Sequence, residues 1–214
     1  MQIASTVNQT RYEVFRWRYQ ASLPWKITMA LAMAGLIGLM AQVRLLLPFT
    51  PVPVTGQTLG VLLAGVLLGR RWGGISLAFY AILGIVGVPW FNGWSSGLSA
   101  TAGYLVGFIL AALFLGYFTD KYIQARRFSS MFGMMLFASL ILIYIPGLVW
   151  LGLWLNLVKG TPASIASIIG MGAVPFIAGD ILKAAMAAAI ARAATPKVAY
   201  NEADATVDGI SHSL

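Results

Sequence analysis

The chain has 214 residues, of which 59% are hydrophobic and only 9% are charged, and its formal net charge is +8. This composition excludes an ordinary soluble domain, because roughly a quarter of the residues in such domains are charged. It indicates an integral membrane protein. Since the chain has no cysteine, disulfide bonds and thiolate metal sites are excluded as well.

The N-terminal segment, residues 1–25, contains "RYEVFRWRYQASLPW", where arginines alternate with aromatic residues just before the first apolar run. This mixture is typical of a helix or anchor at the membrane interface. It is not typical of a signal peptide, because the apolar run that follows is long and lacks a convincing small-residue cleavage site. We therefore predict a cytoplasmic interfacial segment.

Six apolar runs with the length and composition of membrane-spanning helices follow within residues 26–194. They lie near residues 27–47, 54–69, 73–89, 102–119, 131–153 and 172–194. The second and third runs are short and are joined by "GRRWGG", which favours a hairpin. Because the runs lack the alternating pattern of barrel strands, we predict an all-α integral membrane protein with six transmembrane helices.

The basic residues are distributed unequally between the two sides of the predicted bundle. Eleven lie on the side that holds both termini, and only Arg44 and Lys159 lie on the other side. Since cytoplasmic loops retain Lys and Arg, both termini are predicted to be cytoplasmic. The same bias explains the positive net charge, so no nucleic-acid partner is expected.

The tail, residues 195–214, is short, polar and acidic, and it carries the only histidine, His212. We expect it to be disordered and cytoplasmic. The chain shows no H-E-x-x-H pattern and no acidic metal-binding cluster, so neither an enzyme nor a metal site is predicted. It also lacks a G-x-x-x-x-G-K-[ST] loop, so active transport would draw its energy from a partner chain or an ion gradient.

Two charged residues lie inside the sixth run, in "GDILKAAMAAAI". Asp180 and Lys183 are three positions apart and therefore share one helix face. Such a pair can simply fix helix packing, but ionisable groups inside a membrane also mark substrate or ion paths. A carboxylate beside an ammonium group would suit a polar ligand with adjacent N–H and C=O groups.

Two loops on the outer side have compositions that suit a binding site. "LPFTPVPVTGQ" is stiffened by three prolines and supplies Thr55 and Gln57, so it is either a rigid lid or a plain connection. "VPWFNGWSSGLSATAGY" contains Trp90, Phe91 and Asn92. Its rings either hold an apolar ligand body while Asn92 supplies an amide, or form an interfacial aromatic belt.

Three strings together resemble the BioY family, the biotin-specific substrate-binding components of energy-coupling factor transporters. They are "LPFTPVPVTGQTLGVLLAGVLLG", the "GYLVGF" that opens the fourth run, and "PFIAGDILKAAMAA" in the sixth, and the resemblance covers about residues 25–194. It implies a multi-pass cell-membrane protein that captures biotin from the outer side. Its partners would be a scaffold transmembrane subunit and two ATPase subunits, and it would need no cofactor of its own.

The resemblance implies a biotin site made of eight residues: Asp180, Lys183, Asn92, Tyr104, Thr55, Gln57, Trp90 and Phe91. Asp180, Lys183 and Asn92 would pair with the ureido ring, which has two N–H donors and one carbonyl acceptor. Either Lys183 or Arg44 would neutralise the biotin carboxylate. The chain departs from the family before the fourth run, where it has "SGLSATAGY" in place of a sequence that contains G-P-T-G-G-Y.

The first run also carries a stripe of small residues, Ala30, Ala34 and Gly38. Small residues at this spacing allow another helix to approach closely. The resemblance implies that the stripe docks the scaffold subunit, whereas internal packing is the alternative. Gly103 and Gly107 form a similar stripe in the fourth run, which we expect to pack internally.

Other functions remain open at this stage. The same fold could select another vitamin, or Asp180 could titrate in a proton-coupled carrier, whose uptake would collapse with an uncoupler. The chain could also be a non-transporting membrane scaffold or receptor, in which the charged pair is purely structural. Replacing Lys183 with Met would then leave ligand binding unchanged.

Overall fold

A computed structural model describes residues 2–196, with side chains from residue 9 onward, and this part of the chain is almost entirely helical. The helices are α1 (Gln2–Gln20), α2 (Leu23–Gln42), α3 (Gln57–Val86), α4 (Ala102–Lys121), α5 (Phe128–Phe137), α6 (Tyr144–Leu157), α7 (Ile165–Gly172) and α8 (Ile177–Ala194). A π-helical stretch, Ala138–Ile143, joins α5 to α6, and 3₁₀ turns lie at Ile123–Arg126 and Val174–Phe176. Strands β1 (Arg44–Leu45) and β2 (Val54–Thr55) pair antiparallel.

Five helical stretches in the described residues are long and apolar enough to cross a membrane. They are Leu23–Gln42, Gln57–Val86, Ala102–Lys121, Phe128–Leu157 and Ile165–Ala194. The all-α membrane class predicted from the sequence is therefore confirmed. The first predicted run ends earlier than expected because the chain enters β1 after α2, and α7 extends the sixth run at its start.

The predicted second and third runs lie together in α3, which is broken at Gly69. This glycine has φ 79° and ψ 175°, a conformation that residues with side chains rarely adopt. The chain reverses there, because a Cβ atom built on Gly73 would lie only 2.8 Å from the Gly65 Cα atom. Residues eight apart in a continuous helix are about 12 Å apart. The helix therefore consists of two antiparallel arms, and the predicted hairpin is confirmed.

One buried arginine, Arg18, fastens α1 to this break. Its Nη1 donates hydrogen bonds to the carbonyl oxygens of Val66 and Leu67, at 2.8 Å and 2.9 Å. The Arg70 N–H, which would serve Val66 in an unbroken helix, instead donates to Asp120 Oδ2 at 2.9 Å. Arg18 Nη2 pairs with Asp120 Oδ1 at 2.5 Å. The guanidinium thus satisfies carbonyls that the helix break leaves unpaired.

The centre of the bundle depends on close helix contacts at small residues. Gly103 packs against Trp150 and Pro146 of α6, and Gly107 packs against Ile143. These contacts leave no room for a side chain at either glycine. The prediction that this stripe packs internally is confirmed.

The stripe Ala30, Ala34 and Gly38 also faces the interior. All three residues are buried, and a Cβ atom built on Gly38 would lie 2.9 Å from the Trp90 Cβ atom. In this structure the stripe therefore makes the internal contact that was the alternative, with α3 and the loop after it on that face, and the docking of a scaffold subunit there stays a prediction.

The structure describes most of the N-terminal segment but little of the C-terminal tail. The N-terminal segment forms α1, with Phe15 and Arg18 buried and Trp17 exposed. The interfacial placement of this segment stays a prediction. Most of the predicted tail, including Lys197 and His212, lies outside the described residues.

Candidate functional site

A pocket lies where the loops before α3 and α4 meet α4, α8 and the junction of the π-helical stretch with α6. It contains about 710 Å³ of space, a figure that includes its open mouth. In the described residues its lining comprises Val52, Pro53, Thr55, Gln57, Thr58, Phe91, Asn92, Gly97, Ser99, Thr101, Ala102, Tyr104, Leu105, Phe108, Ile143, Tyr144, Phe176, Asp180 and Lys183. The pocket thus joins aromatic and aliphatic walls to one charged pair.

The charged pair is held in a defined arrangement. Asp180 is only 3% exposed, and its Oδ1 accepts a hydrogen bond from Lys183 Nζ at 2.8 Å. Its Oδ2 accepts from the Tyr144 hydroxyl at 2.6 Å. Because an ammonium group has three donors, Lys183 keeps two beyond the bond to Asp180. The pair is nearly neutral as a unit, yet it still offers donors where it lines the pocket.

Tyr144 is a site residue that the sequence analysis missed. It begins α6 directly after the π-helical stretch, and such stretches are frequent at functional sites. The available signal was a single hydroxyl in the apolar string "LILIYIPG". Nothing local in that string shows that the hydroxyl meets Asp180, which is 36 residues further along the chain.

The proline-rich loop before α3 contacts α7 and lines the pocket. The Thr50 hydroxyl donates to the Met171 carbonyl oxygen in α7 at 2.8 Å, while Val52 and Pro53 line the pocket. β1 and β2 close this loop into a small hairpin, which the sequence analysis did not predict. The loop is therefore more than a plain connection, and its role as a lid stays a prediction.

Two polar residues at the base of this loop are bound to each other and to the bundle. The Thr55 hydroxyl donates to Gln57 Oε1 at 2.9 Å, and Gln57 Nε2 donates to the Tyr80 hydroxyl. Both residues line the pocket. The hydrogen bonds fix the direction in which the Gln57 amide points.

The aromatic loop before α4 contributes Phe91 and Asn92 to the lining, but not Trp90. The Trp90 indole N–H donates to the Tyr80 carbonyl oxygen at 3.0 Å, and its side chain packs on Gly38. Trp90 therefore lies outside the pocket lining in this structure, because its ring fills the contact between α2 and α3, and its part in a ligand site stays a prediction. The Asn92 side-chain amide has no hydrogen bond within the described residues.

Gln42 holds the aromatic loop in place. Its Nε2 donates to the Phe91 carbonyl oxygen at 3.1 Å, and its Oε1 accepts from the Trp94 N–H at 3.0 Å. Gly84 lets the Phe91 ring pack directly on the backbone of α3, because any side chain there would collide with the ring. The sequence analysis did not identify this support.

Of the two predicted residues that remain, one lines the pocket and the other lies outside it. Tyr104 lines the pocket, and its hydroxyl donates to the Gly172 carbonyl oxygen at 2.7 Å. Arg44 lies outside the lining, with its guanidinium over Gly93, next to Asn92 in the sequence. Seven of the eight predicted residues are thus brought together around one pocket. Their contact with a ligand stays a prediction.

Comparisons with known proteins agree on one family. Residues 14–200 match the BioY family. The chain is 54% identical over 144 residues to the probable biotin transporter BioY of Methanothermobacter thermautotrophicus, covering 65% of this chain and 92% of the relative. It is 34% identical over 166 residues to the biotin transporter BioY of Rhizobium etli, covering 73% and 84%.

A solved structure gives the same result at the level of the fold. The crystal structure of the S-component for biotin from an ECF-type ABC transporter superposes with a TM-score of 0.68 and 25% sequence identity. The match covers 78% of this chain and 88% of that one. With a family match across most of its length and a fold shared with a biotin S-component, this chain belongs to the BioY family.

Proposed function

We propose that this protein is the biotin-binding subunit of an ATP-driven importer of the energy-coupling factor type. The observation that carries the proposal is the Asp180 and Lys183 pair, which lines a pocket inside an apolar bundle. The relatives and the solved structure support biotin as the ligand, because they are described as biotin transporters and as an S-component for biotin.

The chemistry of the pocket matches the polar end of biotin. Asp180 accepts N–H donors of the ureido ring, and Lys183 donates to the ureido carbonyl through hydrogens not used by Asp180. Asn92 has an unused amide and supplies one more directed hydrogen bond. A ligand without matching atoms would leave these buried groups unpaired, so discrimination against it should be steep.

The apolar part of the pocket suits the rest of the ligand. The rings of Phe91, Phe108 and Phe176 and the side chain of Leu105 offer a surface for the thioether ring and the alkyl chain. Arg44 meets the biotin carboxylate, because the charge of Lys183 is already compensated by Asp180 at 2.8 Å.

The proposal includes an arrangement in the cell membrane. The chain crosses it six times, with the two arms of α3 as separate crossings, and both termini are cytoplasmic. The pocket then opens to the outer side, where biotin is captured. A scaffold transmembrane subunit and two ATPase subunits complete the importer.

Isothermal titration calorimetry of the purified full chain tests the ligand. Biotin should bind at least 100-fold more tightly than thiamine or riboflavin, because only biotin carries the ureido ring. Tighter binding of another vitamin would contradict the choice of ligand while leaving the fold assignment intact. No binding of any of the three by a monodisperse preparation would favour a structural role for the charged pair.

A further inference from the structure

A second pocket lies at the other end of α4 from the biotin site. It is bounded by the end of α1, the start of α2, the break in α3 and the end of α4, and it contains about 950 Å³ including its open mouth. Its lining in the described residues comprises Arg18, Tyr19, Lys26, Leu68, Gly69, Arg70, Arg71, Trp72, Tyr117, Asp120 and Lys121. None of these residues takes part in the proposed biotin site.

The charge of this second pocket is strongly positive. Five cationic side chains line it, against the single carboxylate of Asp120. Arg18 pairs with Asp120 at 2.5 Å, so these two charges cancel. The other four cations, Lys26, Arg70, Arg71 and Lys121, have no carboxylate partner in the part of the chain that the structure describes.

The four unpaired cations retain donors for a ligand. Lys26 Nζ donates to the Tyr19 carbonyl oxygen at 2.7 Å, and Lys121 Nζ donates to the Tyr117 hydroxyl at 3.0 Å. Each ammonium group has three donors, so donors remain on both lysines. Arg70 stacks over the Tyr117 ring, 5.1 Å from its centroid, which orients its guanidinium at the pocket wall. An oxyanion with several acceptor oxygens would satisfy these donors together and reduce their mutual repulsion.

The surroundings of the pocket indicate where that oxyanion comes from. Trp17 and Trp25 are 49% and 58% exposed, and their rings form an edge-to-face pair 6.3 Å apart. Exposed tryptophans of this kind lie at the level of lipid headgroups. Leu23, Ile27 and Leu31 are exposed along one face of α2, starting beside Lys26. The cationic pocket thus continues into an apolar strip along which an acyl chain can lie.

We propose that this pocket binds the phosphate of an anionic glycerophospholipid, with an acyl chain along Leu23, Ile27 and Leu31. Free phosphate presents the same oxyanion chemistry but gains nothing from the apolar strip or the exposed tryptophans. A zwitterionic lipid brings its own cation into a pocket that already holds an excess of four. The site therefore prefers phosphatidylglycerol to phosphatidylcholine.

Native mass spectrometry of the detergent-purified full chain, titrated with each lipid, tests this preference. The wild-type protein should bind phosphatidylglycerol about tenfold more tightly than phosphatidylcholine. The double variant Arg70→Gln/Arg71→Gln should lose most of that preference. A second variant, Lys26→Gln/Lys121→Gln, removes the same charge from other parts of the pocket and should behave alike. The matched control Arg127→Gln/Arg192→Gln removes two cations outside this pocket and should keep the preference for phosphatidylglycerol.

The possible outcomes distinguish a lipid site from a general effect of net charge and from a site for free phosphate. Equal loss of preference in the pocket variants and the control would assign the effect to net charge and overturn the proposal. Displacement of the lipid by inorganic phosphate at about 10 mM would assign the pocket to free phosphate and overturn the choice of a lipid. Gel filtration and circular dichroism confirm that each variant is folded, and because the assay contains no biotin, its result does not depend on the proposed biotin site.

Discussion

At the scale of single residues, a few hydrogen bonds decide the character of the proposed biotin site. Asp180 is buried in an apolar bundle, and its two oxygens are held by Lys183 and Tyr144 at 2.8 Å and 2.6 Å. The sequence predicted the lysine partner, because residues three apart share a helix face. It did not predict Tyr144, because that contact joins two helices and depends on the register of the π-helical stretch.

Asp180→Asn and Lys183→Ala should each weaken biotin binding by about 2 kcal/mol or more, because each removes a charged hydrogen-bond partner of the ligand. Titration calorimetry measures the loss. Since either change also leaves a buried charge without its partner, the variants must first elute as single species in gel filtration. Unchanged binding by a well-folded Lys183→Met variant would assign the pair a purely structural role.

Tyr144→Phe should weaken biotin binding less, by about 1 kcal/mol, because the hydroxyl positions Asp180 without contacting the ligand itself. Tyr117→Phe is a suitable control, since it removes a hydroxyl that binds Lys121 far from the biotin site. Calorimetry of both variants gives the comparison. A loss as large as that of Asp180→Asn would show that the Tyr144 hydroxyl contacts biotin directly.

At the scale of elements, the break in α3 organises the end of the bundle that holds Arg18 and Asp120. Gly69 supplies the positive φ at which the chain reverses, and Arg18 and Asp120 satisfy the backbone groups released there. The short apolar runs on either side of "GRRWGG" predicted the reversal. The part played by Arg18 could not be predicted, because it lies 48 residues before the Val66 carbonyl that it binds.

Gly69→Ala should lower the unfolding temperature of the detergent-solubilised protein, corresponding to about 1–3 kcal/mol of strain. The added methyl group would also lie 2.8 Å from Asp120 Oδ2. Gly35→Ala is the matched control, because Gly35 is helical and a Cβ atom there meets nothing within 4 Å. That control should be neutral or slightly stabilising. Equal unfolding temperatures for the two variants would be inconsistent with a strained backbone at Gly69.

At the scale of the whole molecule, the two pockets lie at opposite ends of α4, and their linings differ in net charge. The proposed biotin site holds one cation and one carboxylate, whereas the proposed lipid pocket holds five cations and one carboxylate. In the proposed topology, the positive-inside bias puts the cationic end in the cytoplasm, beside the anionic inner leaflet. The proposed biotin site would then face outward.

Because the natural chain has no cysteine, single cysteines can test this orientation. Ser96→Cys lies in the exposed loop before α4, and Ser130→Cys lies exposed near the start of α5. A membrane-impermeant maleimide added to intact cells should label the first variant and not the second, and both should react after the membranes are opened. The reverse pattern would contradict the predicted topology.

The sequence by itself determined the membrane class, the approximate limits of the helices, the α3 hairpin and the charged pair in α8. These are local properties, because composition, helical periodicity and the spacing of glycines are set within a few residues. Only the tertiary structure decided which helix faces meet. It turned the small-residue stripe of α2 inward, placed Trp90 behind the pocket wall and brought Tyr144 to Asp180. Each of these outcomes depends on contacts between residues far apart in the chain. Local sequence patterns do not predict the geometry of such contacts.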